Sequence, residues 1–374
     1  MIYDCFTFLN ENLLLEIRLN ELNSVVDKFV IVEATKTHSG KLRKLCFNKN
    51  NESFKPFLNK IIYIPIDFPN DLDVNYIRQY INLDHVKLNT EAWLREIFQR
   101  NSISKGLKNA KSNDIIMISD VDEIPNRDQI IKLKNIKNYN KKYAFEQNFF
   151  YYYFNLLNIS EKWIGTKATL FKNLTTPQEL RYSTNYEIIK NGGWHFSYLG
   201  DINKIKNKID SFAHQEFNNK RINNNQHIQY SIKNNLDLFE RPIKFKVVEF
   251  DKSFPNYILA NQNKFKELIK KDKKIDNNTE WLINKLIDSR KNISVINNQL
   301  NKLLSEKNVL VKSNKKLLSE KNKLEDLIIN KFIIENQIES VTNHVVQLNK
   351  ELYTIKSAKF YKLWQAYNKI KKLF

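Results

Sequence analysis

The sequence predicts an α/β protein with a mostly parallel sheet, followed by a C-terminal helical coiled coil. Short apolar stretches alternate with amphipathic ones in the N-terminal third of the chain. A seven-residue repeat of leucine and isoleucine runs through the last quarter. Strands that alternate with helices are typical of parallel sheets covered by helices on both faces. A heptad repeat is typical of helices that wind around one another.

Four apolar stretches predict strands: IYDCFTF, KFVIVEA, KIIYIPI and DIIMISD. The apolar run from Ile115 to Ile118 in the last of them indicates a strand buried on both faces, as in parallel sheets. Two stretches between the strands predict helices. ENLLLEIRLNELNSVV carries an apolar stripe of helical period, and TEAWLREIFQRNSISKGLKNA begins at Thr90, a suitable N-cap.

The heptad repeat predicts a projecting coiled coil through which the protein self-associates. The residues that recur every seven positions are Ile296, Leu303, Leu310, Leu317 and Leu324, then Ile338, Val345 and Leu352. The alternative is a long helix packed on its own domain. The predicted organisation is an α/β domain in residues 1–284, a coiled coil in 285–355 and a basic amphipathic helix in 356–374.

The chain has 61 Lys and Arg against 41 Asp and Glu, a net charge of +20. Its lysines are scattered and no nucleic-acid-binding motif occurs, so no nucleic acid partner is expected. In residues 356–374, lysines oppose an aromatic and aliphatic face, which favours contact with an anionic membrane surface; packing on a partner helix is the alternative. Two cysteines, no basic leader and no apolar run of about 20 residues predict a cytoplasmic protein, peripheral at the inner face of the membrane.

The stretch NDIIMISDVDEIP ends a buried strand in the carboxylates Asp120, Asp122 and Glu123. Ligands of open α/β sheets bind at the carboxyl ends of the strands. Crowded carboxylates repel one another unless a cation joins them, so Asp120 and Asp122 predict a site for Mg²⁺ or Mn²⁺ with a diphosphate. The alternative is an acidic loop that caps the following helix. A second pair, Asp71 and Asp73, lies in a polar stretch and is more typical of a solvated turn.

Six blocks in this order resemble glycosyltransferase family 17, the family of the bisecting β-1,4-mannosyl-glycoprotein N-acetylglucosaminyltransferase. They are YDCFTFLNENLLLEIRLNEL, VDKFVIVEATKTHSGK, REIFQRN, DIIMISDVDEIP, GGWHFSYLG and SFAHQEFN, within residues 1–245. The resemblance implies a GT-A-type, Rossmann-like catalytic domain in residues 1–284. It also implies a nucleotide-sugar donor, by default UDP-GlcNAc, and inverting transfer to a glycan, glycolipid or glycoprotein. The rival interpretations are a coiled-coil scaffold with an inactive transferase domain and a basic nucleic-acid-binding protein.

The resemblance assigns roles around the acidic turn. By the GT-A pattern, Asp122 would bind the metal directly, and Asp120 would contact the ribose or reach the metal through water. His195 in GGWHFSYLG is the third candidate metal ligand. Its alternative is a hydrogen-bonded core histidine beside aromatic neighbours.

An inverting transferase also needs a base that accepts the proton of the acceptor hydroxyl. The favoured candidates are Glu216 and Glu146, ahead of Glu123 and Asp201. Their alternatives are an exposed helix face for Glu216 and a satisfied strand-end carboxylate for Glu146.

Five further residues are predicted to bind the nucleotide-sugar. Glu33, Thr35 and His38 follow the second strand, where a GT-A enzyme receives the nucleoside. Arg95 and Arg100 lie on the helix before the acidic turn and could bind the diphosphate, because a guanidinium matches phosphate geometry. The alternative for both arginines is a structural ion pair.

Overall fold

The computed structural model describes residues 1–70, 72, 91–136, 141–271, 277–317 and 324–371. The chain divides into two compact units. The first comprises Met1–Leu238 and Lys244–Asp272, and the second comprises Phe239–Ile243 and Lys273–Phe374. The boundaries expected at residues 284 and 355 stay predictions.

The first unit is built on a ten-stranded sheet within the described residues. Its strands are β1 (Ile2–Phe8), β2 (Lys28–Ala34), β3 (Ile61–Ile66), β4 (Ile115–Asp120), β5 (Glu123–Pro125), β6 (Tyr143–Tyr151), β7 (Leu156–Asn158), β8 (Trp163–Leu170), β9 (Glu187–Ser197) and β10 (Phe245–Val247). Their order across the sheet is β10-β7-β6-β8-β4-β1-β2-β3, with β9 beside β6 and β5 beside β9.

The sheet is parallel in one half and mixed in the other. Strands β4, β1, β2 and β3 are parallel neighbours, and Cys5 of β1 lies between Val30 of β2 and Ile118 of β4. Strand β8 pairs antiparallel with both β4 and β6. The predicted α/β class is therefore confirmed, and the four strands predicted from sequence form the parallel half.

Helices connect these strands. In the first unit they are α1 (Asn12–Leu22), α2 (Glu91–Asn101), α3 (Arg127–Lys134), α4 (Pro177–Tyr182), α5 (Ile202–Ser211), α6 (Asn225–Lys233) and α7 (Asn256–Ala260). The predicted cap Thr90 lies outside the described residues, and α2 continues as a 3₁₀ turn, Ser102–Gly106. Helix α3 is capped by Asn126, whose side chain accepts the backbone N–H of Asp128 at 2.8 Å. The acidic turn before it therefore does not serve as the N-cap.

The second unit contains α8 (Asn277–Leu317) and α9 (Leu324–Lys371), which contact one another. Repeat positions Ile296 and Leu303 in α8 and Ile338 and Val345 in α9 are half-buried. Lys307 and Glu335 form an ion pair at 4.0 Å. Self-association through these helices stays a prediction. No helix in the described part of the chain combines the length and apolarity needed to cross a bilayer.

One buried arginine fixes the turn that follows β4. The side chain of Arg18 on α1 is fully buried and donates to both carboxylate oxygens of Asp4 at 2.6 and 2.7 Å. Its Nη1 donates to the backbone carbonyls of Asp120, Val121 and Glu123 at 3.0, 3.3 and 2.8 Å. A single guanidinium thus neutralises a buried carboxylate and satisfies the carbonyls of the acidic turn.

Replacing Arg18 with Met should lower the free energy of unfolding by about 3–5 kcal/mol, because Asp4 would remain buried without its counter-ion. Urea denaturation measures this loss. In the double variant Asp4→Asn/Arg18→Met the unpaired charge is also removed, so part of the stability should return. Equal losses in the single and double variants would contradict the buried-pair explanation.

Candidate active site

A cavity of about 540 Å³ opens at the carboxyl ends of the parallel strands. Thr7 and Phe8 from the end of β1, Ala34 from the end of β2 and Asp120 from the end of β4 line it. Indole and cationic side chains complete much of the wall, namely Lys36, Arg43, Trp93, Arg100, Trp163, Arg181 and Lys208. Open α/β sheets bind ligands at this position. The wall also carries carboxylates, namely Glu11, Glu96, Asp120, Asp122 and Glu123, so cationic and acidic groups lie side by side.

Asp120 is held by two arginines. Its Oδ1 accepts from Arg100 at 2.8 Å, and its Oδ2 accepts from Arg181 at 3.1 Å. Thr7 Oγ1 also lies 3.3 Å from Oδ1. Burial disfavours the charged carboxyl, but the two guanidinium groups outweigh it and hold the pKa of Asp120 well below its usual range. The first aspartate of the turn is therefore ionised and already neutralised by protein cations.

Asp122 is buried and faces two nitrogen groups. Its Oδ2 lies 2.6 Å from Lys208 Nζ and 3.5 Å from His195 Nε2. Burial raises the pKa of Asp122, but Lys208 and then His195 lower it further, so the pKa lies well below its usual range. The second aspartate thus presents a charged oxygen that an ammonium group and an imidazole share.

His195 reaches Asp122 because β9 pairs with β5. In that antiparallel ladder His195 lies opposite Glu123. Its ring stacks on Phe149 with centroids 4.4 Å apart and also packs on Trp163 at 4.6 Å. Its Nδ1 is buried without a hydrogen bond among the described residues. His195 therefore combines the two roles weighed from sequence, a ring packed among aromatics and a nitrogen beside Asp122.

The glycine pair before Trp194 lets β9 lie close to its neighbours. Gly193 has a φ of +132°, and a Cβ there would lie 2.2 Å from the carbonyl oxygen of Ile124 on β5. A Cβ on Gly192 would lie 2.7 Å from Phe145 Cβ on β6. These glycines are therefore needed for the strand packing that carries His195 to the turn.

Glu123 is enclosed by hydrogen-bond donors. It accepts from Trp163 Nε1 at 2.6 Å, from Arg181 Nη1 at 2.8 Å and from the backbone N–H of Asp120 at 3.1 Å. Both of its oxygens are engaged, and the residue is 1% exposed. Glu123 thus fixes Arg181, which in turn contacts Asp120.

Two of the predicted nucleotide-binding residues border the cavity. Arg100 contacts Asp120 there and also donates to Gln178 Oε1 at 2.7 Å. His38, which follows β2 in the chain, also borders the cavity. Its Nε2 lies 2.7 Å from Gln99 Oε1. The structure therefore brings Arg100 and His38 to the same cavity as the acidic turn.

The other three predicted nucleotide-binding residues do not border this cavity. Glu33 is fully buried and accepts from Arg43 at 2.6 Å, from Tyr63 and from two backbone N–H groups. Thr35 bonds through its hydroxyl to Asp67. Arg95 pairs with Glu91 and donates to the carbonyl of His38 at 3.0 Å. Arg95 is therefore joined to a residue of the cavity wall through the backbone of His38.

The base candidates lie in different settings. Glu146 lies on β6 opposite Ile164 of β8 and does not border the cavity. Asp201 caps α5. Glu216 lies in a one-turn 3₁₀ helix, Gln215–Phe217, with its Oε1 2.7 Å from Nδ1 of His214. His214, unlike Glu216, borders the cavity. The second Asp-x-Asp pair, at positions 71 and 73, lies outside the described residues.

Sequence reasoning missed two of the cations that meet the acidic turn, Lys208 and Arg181. Lys208 is one of three lysines on α5, INKIKNKIDS, and its spacing does not distinguish it from a solvated lysine. Arg181 lies at the end of the short α4, with no motif around it. Only the expectation that buried carboxylates need partners could have prompted a search for them.

An α/β sheet with a cavity at the ends of its parallel strands, where an acidic turn lies beside a histidine, is typical of nucleotide-binding enzymes. The chain belongs to glycosyltransferase family 17, whose sequence profile matches residues 1–272. The family predicted from the six blocks is therefore confirmed, and so is the enzyme class, glycosyltransferase.

Three curated relatives are similar over part of the chain. The human β-1,4-mannosyl-glycoprotein 4-β-N-acetylglucosaminyltransferase is 30% identical over 136 residues, which cover 35% of this chain and 23% of the relative. The rat enzyme of the same name is 30% identical and the mouse enzyme 29% identical, over the same lengths. The matched segment thus spans about a quarter of the curated relatives.

The predicted cytoplasmic location is wrong by this comparison. The names of the relatives give mannosyl-glycoproteins as their acceptors, and acceptors of this class are not cytoplasmic. The prediction rested on cysteine number and on the absence of apolar segments, and neither feature decides the compartment of a transferase.

The charges at Asp122 predict an acid-dependent stability. Because its folded-state pKa is lowered below the unfolded value of about 3.9, its ionised form stabilises the fold above about pH 4, and this contribution is lost as the pH falls further. Asp122→Asn should therefore be less stable than the wild type at pH 7, and the difference should narrow at pH 3. Urea denaturation at both pH values tests this. A difference that stayed constant would contradict the assignment.

Proposed function

We propose that this protein transfers N-acetylglucosamine from UDP-GlcNAc to a glycan, glycolipid or glycoprotein, with inversion at the anomeric carbon. The observation that carries the proposal is the turn of Asp120 and Asp122 inside the cavity of a family 17 chain. The parallel strands β1, β2 and β4, whose carboxyl ends border this cavity, support a GT-A-type, Rossmann-like catalytic domain. The name of the relatives supports the sugar and a mannose-containing acceptor.

A divalent cation, Mn²⁺ or Mg²⁺, fits beside Asp122. The oxygen of Asp122 and Nε2 of His195 are 3.5 Å apart, a separation suited to two ligands of one ion. Such ions often take only one or two protein ligands and complete their shell with substrate phosphates. The described residues contain no group of three or more His, Cys, Asp or Glu suited to a metal. The cation, when bound, would neutralise negative charge on the departing diphosphate.

The protein's own cations would bind the diphosphate as well. Lys208 and Arg181 both border the cavity and both contact a carboxylate of the acidic turn. If Lys208 leaves Asp122 when the cation binds, its ammonium group becomes available for a phosphate oxygen. Arg100 would hold Asp120 for contact with the ribose. Of the residues predicted to receive the nucleoside, His38 is retained because it borders the cavity.

Inverting transfer is a single in-line displacement. The acceptor oxygen forms a bond to the anomeric carbon, the bond from that carbon to the diphosphate breaks, and the electron pair leaves with UDP. The hydroxyl proton must pass to a base on the acceptor side. Neither favoured carboxylate lines the cavity, but each contacts a residue that does, Glu216 through a hydrogen bond to His214 and Glu146 through strand pairing with Ile164.

We further propose that the helices of the second unit associate with those of other copies, and that the basic residues 356–374 contact an anionic membrane surface. The repeat positions Ile338 and Val345 are half-buried, whereas their neighbour Val346 is 48% exposed. Several copies would present several basic segments together, which increases the strength of surface binding.

The cation assignment predicts that UDP binds only with Mn²⁺ or Mg²⁺ and is released by a chelator. Asp122→Ala should weaken UDP binding by more than about tenfold, since even supporting residues of metal sites cost that much. Isothermal titration calorimetry measures the affinity. Asp71→Ala, in the other Asp-x-Asp pair, is the matched control and should bind as the wild type does. Wild-type affinity in Asp122→Ala would exclude this site, and a wild type that ignores UDP would favour the inactive-scaffold alternative.

The association proposal predicts different effects at two adjacent valines. Val345→Glu places a charge in the repeat and should reduce the mass in solution towards that of one chain, 44.7 kDa. Val346→Glu changes an exposed position and should leave the mass unchanged. Light scattering coupled to size exclusion measures both. A single-chain mass for the wild type would refute self-association.

A further inference from the structure

A histidine and a glutamate at the rim of the cavity form a hydrogen-bonded pair that sequence spacing did not predict. His214 Nδ1 lies 2.7 Å from Glu216 Oε1. Residues two apart do not face each other on an α-helix. Here the chain makes a 3₁₀ turn at Gln215–Phe217 directly after His214, and this turn brings the two side chains together.

Aromatic residues hold the imidazole in place. Trp93 of α2 packs edge-on against it, with ring centroids 4.6 Å apart and planes at 82°. Phe212 and Phe217 lie at 5.7 and 6.0 Å. Glu216 places a carboxylate against this ring, in addition to the three aromatic contacts. A carboxylate and three aromatic rings thus orient the imidazole.

The histidine of this pair borders the same cavity as the acidic turn. His214, Trp93, Asp122 and Lys208 all line it. The side chain of His214 is 48% exposed. Because Glu216 accepts from Nδ1, the proton of a neutral imidazole lies on Nδ1, and Nε2 is left with a lone pair. No hydrogen bond to that Nε2 is formed within the described residues.

We propose that His214 is the catalytic base of the transfer and that Glu216 is its positioning residue. The inference rests on the proposed function and deepens it. The acceptor oxygen bonds to the anomeric carbon while its proton passes to His214 Nε2. The electron pair of the breaking bond leaves with UDP, and the Glu216 carboxylate stabilises the imidazolium that forms. After release of the product the proton returns to water.

This assignment differs from a direct role for either favoured glutamate. Glu216 does not itself border the cavity, and its Oε1 is engaged by His214. Glu146 does not line the cavity either, although its β8 partner Ile164 does. A histidine–carboxylate pair meets the chemical requirement, because the imidazole takes the proton and the carboxylate fixes its tautomer.

The test compares full-length variants in two assays. UDP affinity with Mn²⁺ is measured by calorimetry, and turnover is measured as UDP release from UDP-GlcNAc, with water alone and with a mannose-terminated glycopeptide. H214Q should lower kcat by about 10²- to 10⁴-fold, with UDP affinity unchanged. E216Q should lower kcat less. In the wild type, kcat should fall toward low pH because the base becomes protonated. This fall should disappear in H214Q and persist in E216Q.

Two further variants separate chemistry from folding. H214A should regain turnover when imidazole is added, which a structural defect would not. H344Q changes an exposed histidine of α9 and should behave as the wild type does. Wild-type kcat in H214Q, or a larger loss in E216Q than in H214Q, would overturn the inference while leaving the proposed function intact. A wild type that binds UDP and releases none from UDP-GlcNAc would overturn both.

Discussion

The buried pair of Arg18 and Asp4 is the constraint on which the rest of the site depends. The Asp4 carboxylate neutralises Arg18. The remaining N–H groups of Arg18 donate to three backbone carbonyls of the turn after β4 and to Ser119 Oγ. A buried guanidinium with fewer partners would be costly. The turn after β4 therefore has to follow the path that supplies those carbonyls. That path sets the direction in which Asp120 and Asp122 leave the backbone.

The acidic turn is balanced by cations from separate elements. Arg100 of α2 and Arg181 of α4 meet Asp120, and Lys208 of α5 meets Asp122. Burial alone would raise the pKa of both aspartates and favour the neutral carboxyl. The neighbouring cations outweigh burial and hold both pKa values below the usual range, so both carboxylates are ionised. Two charged carboxylates are thus maintained close together before any ligand binds. In an enzyme of this class such preorganised charge can stabilise a transition state without reorganisation during the reaction.

How much the sequence could predict depends on whether the signal was local. The apolar run before Asp120 predicted the buried strand. It also predicted that the carboxylates of Asp120 and Asp122 lie at the carboxyl end of that strand. His195 required the family resemblance, since a lone histidine among aromatics has no distinctive spacing. Glu33 was predicted for the nucleoside, but the structure engages it with Arg43 and Tyr63. Lys208 could not be found in a chain of net charge +20, because its contact with Asp122 joins residues 86 apart in sequence.

The change from a parallel to a mixed sheet is what completes the site. The parallel strands alone supply Thr7, Ala34 and Asp120. Strand β9 pairs parallel with β6 and antiparallel with β5, and this places His195 opposite Glu123 and beside Asp122. Alternate residues of a strand point to opposite faces, so a slip of one residue would turn His195 away and bring Trp194 or Phe196 to its place. The close approach that Gly193 permits fixes this register, and with it the chemistry that the turn can perform.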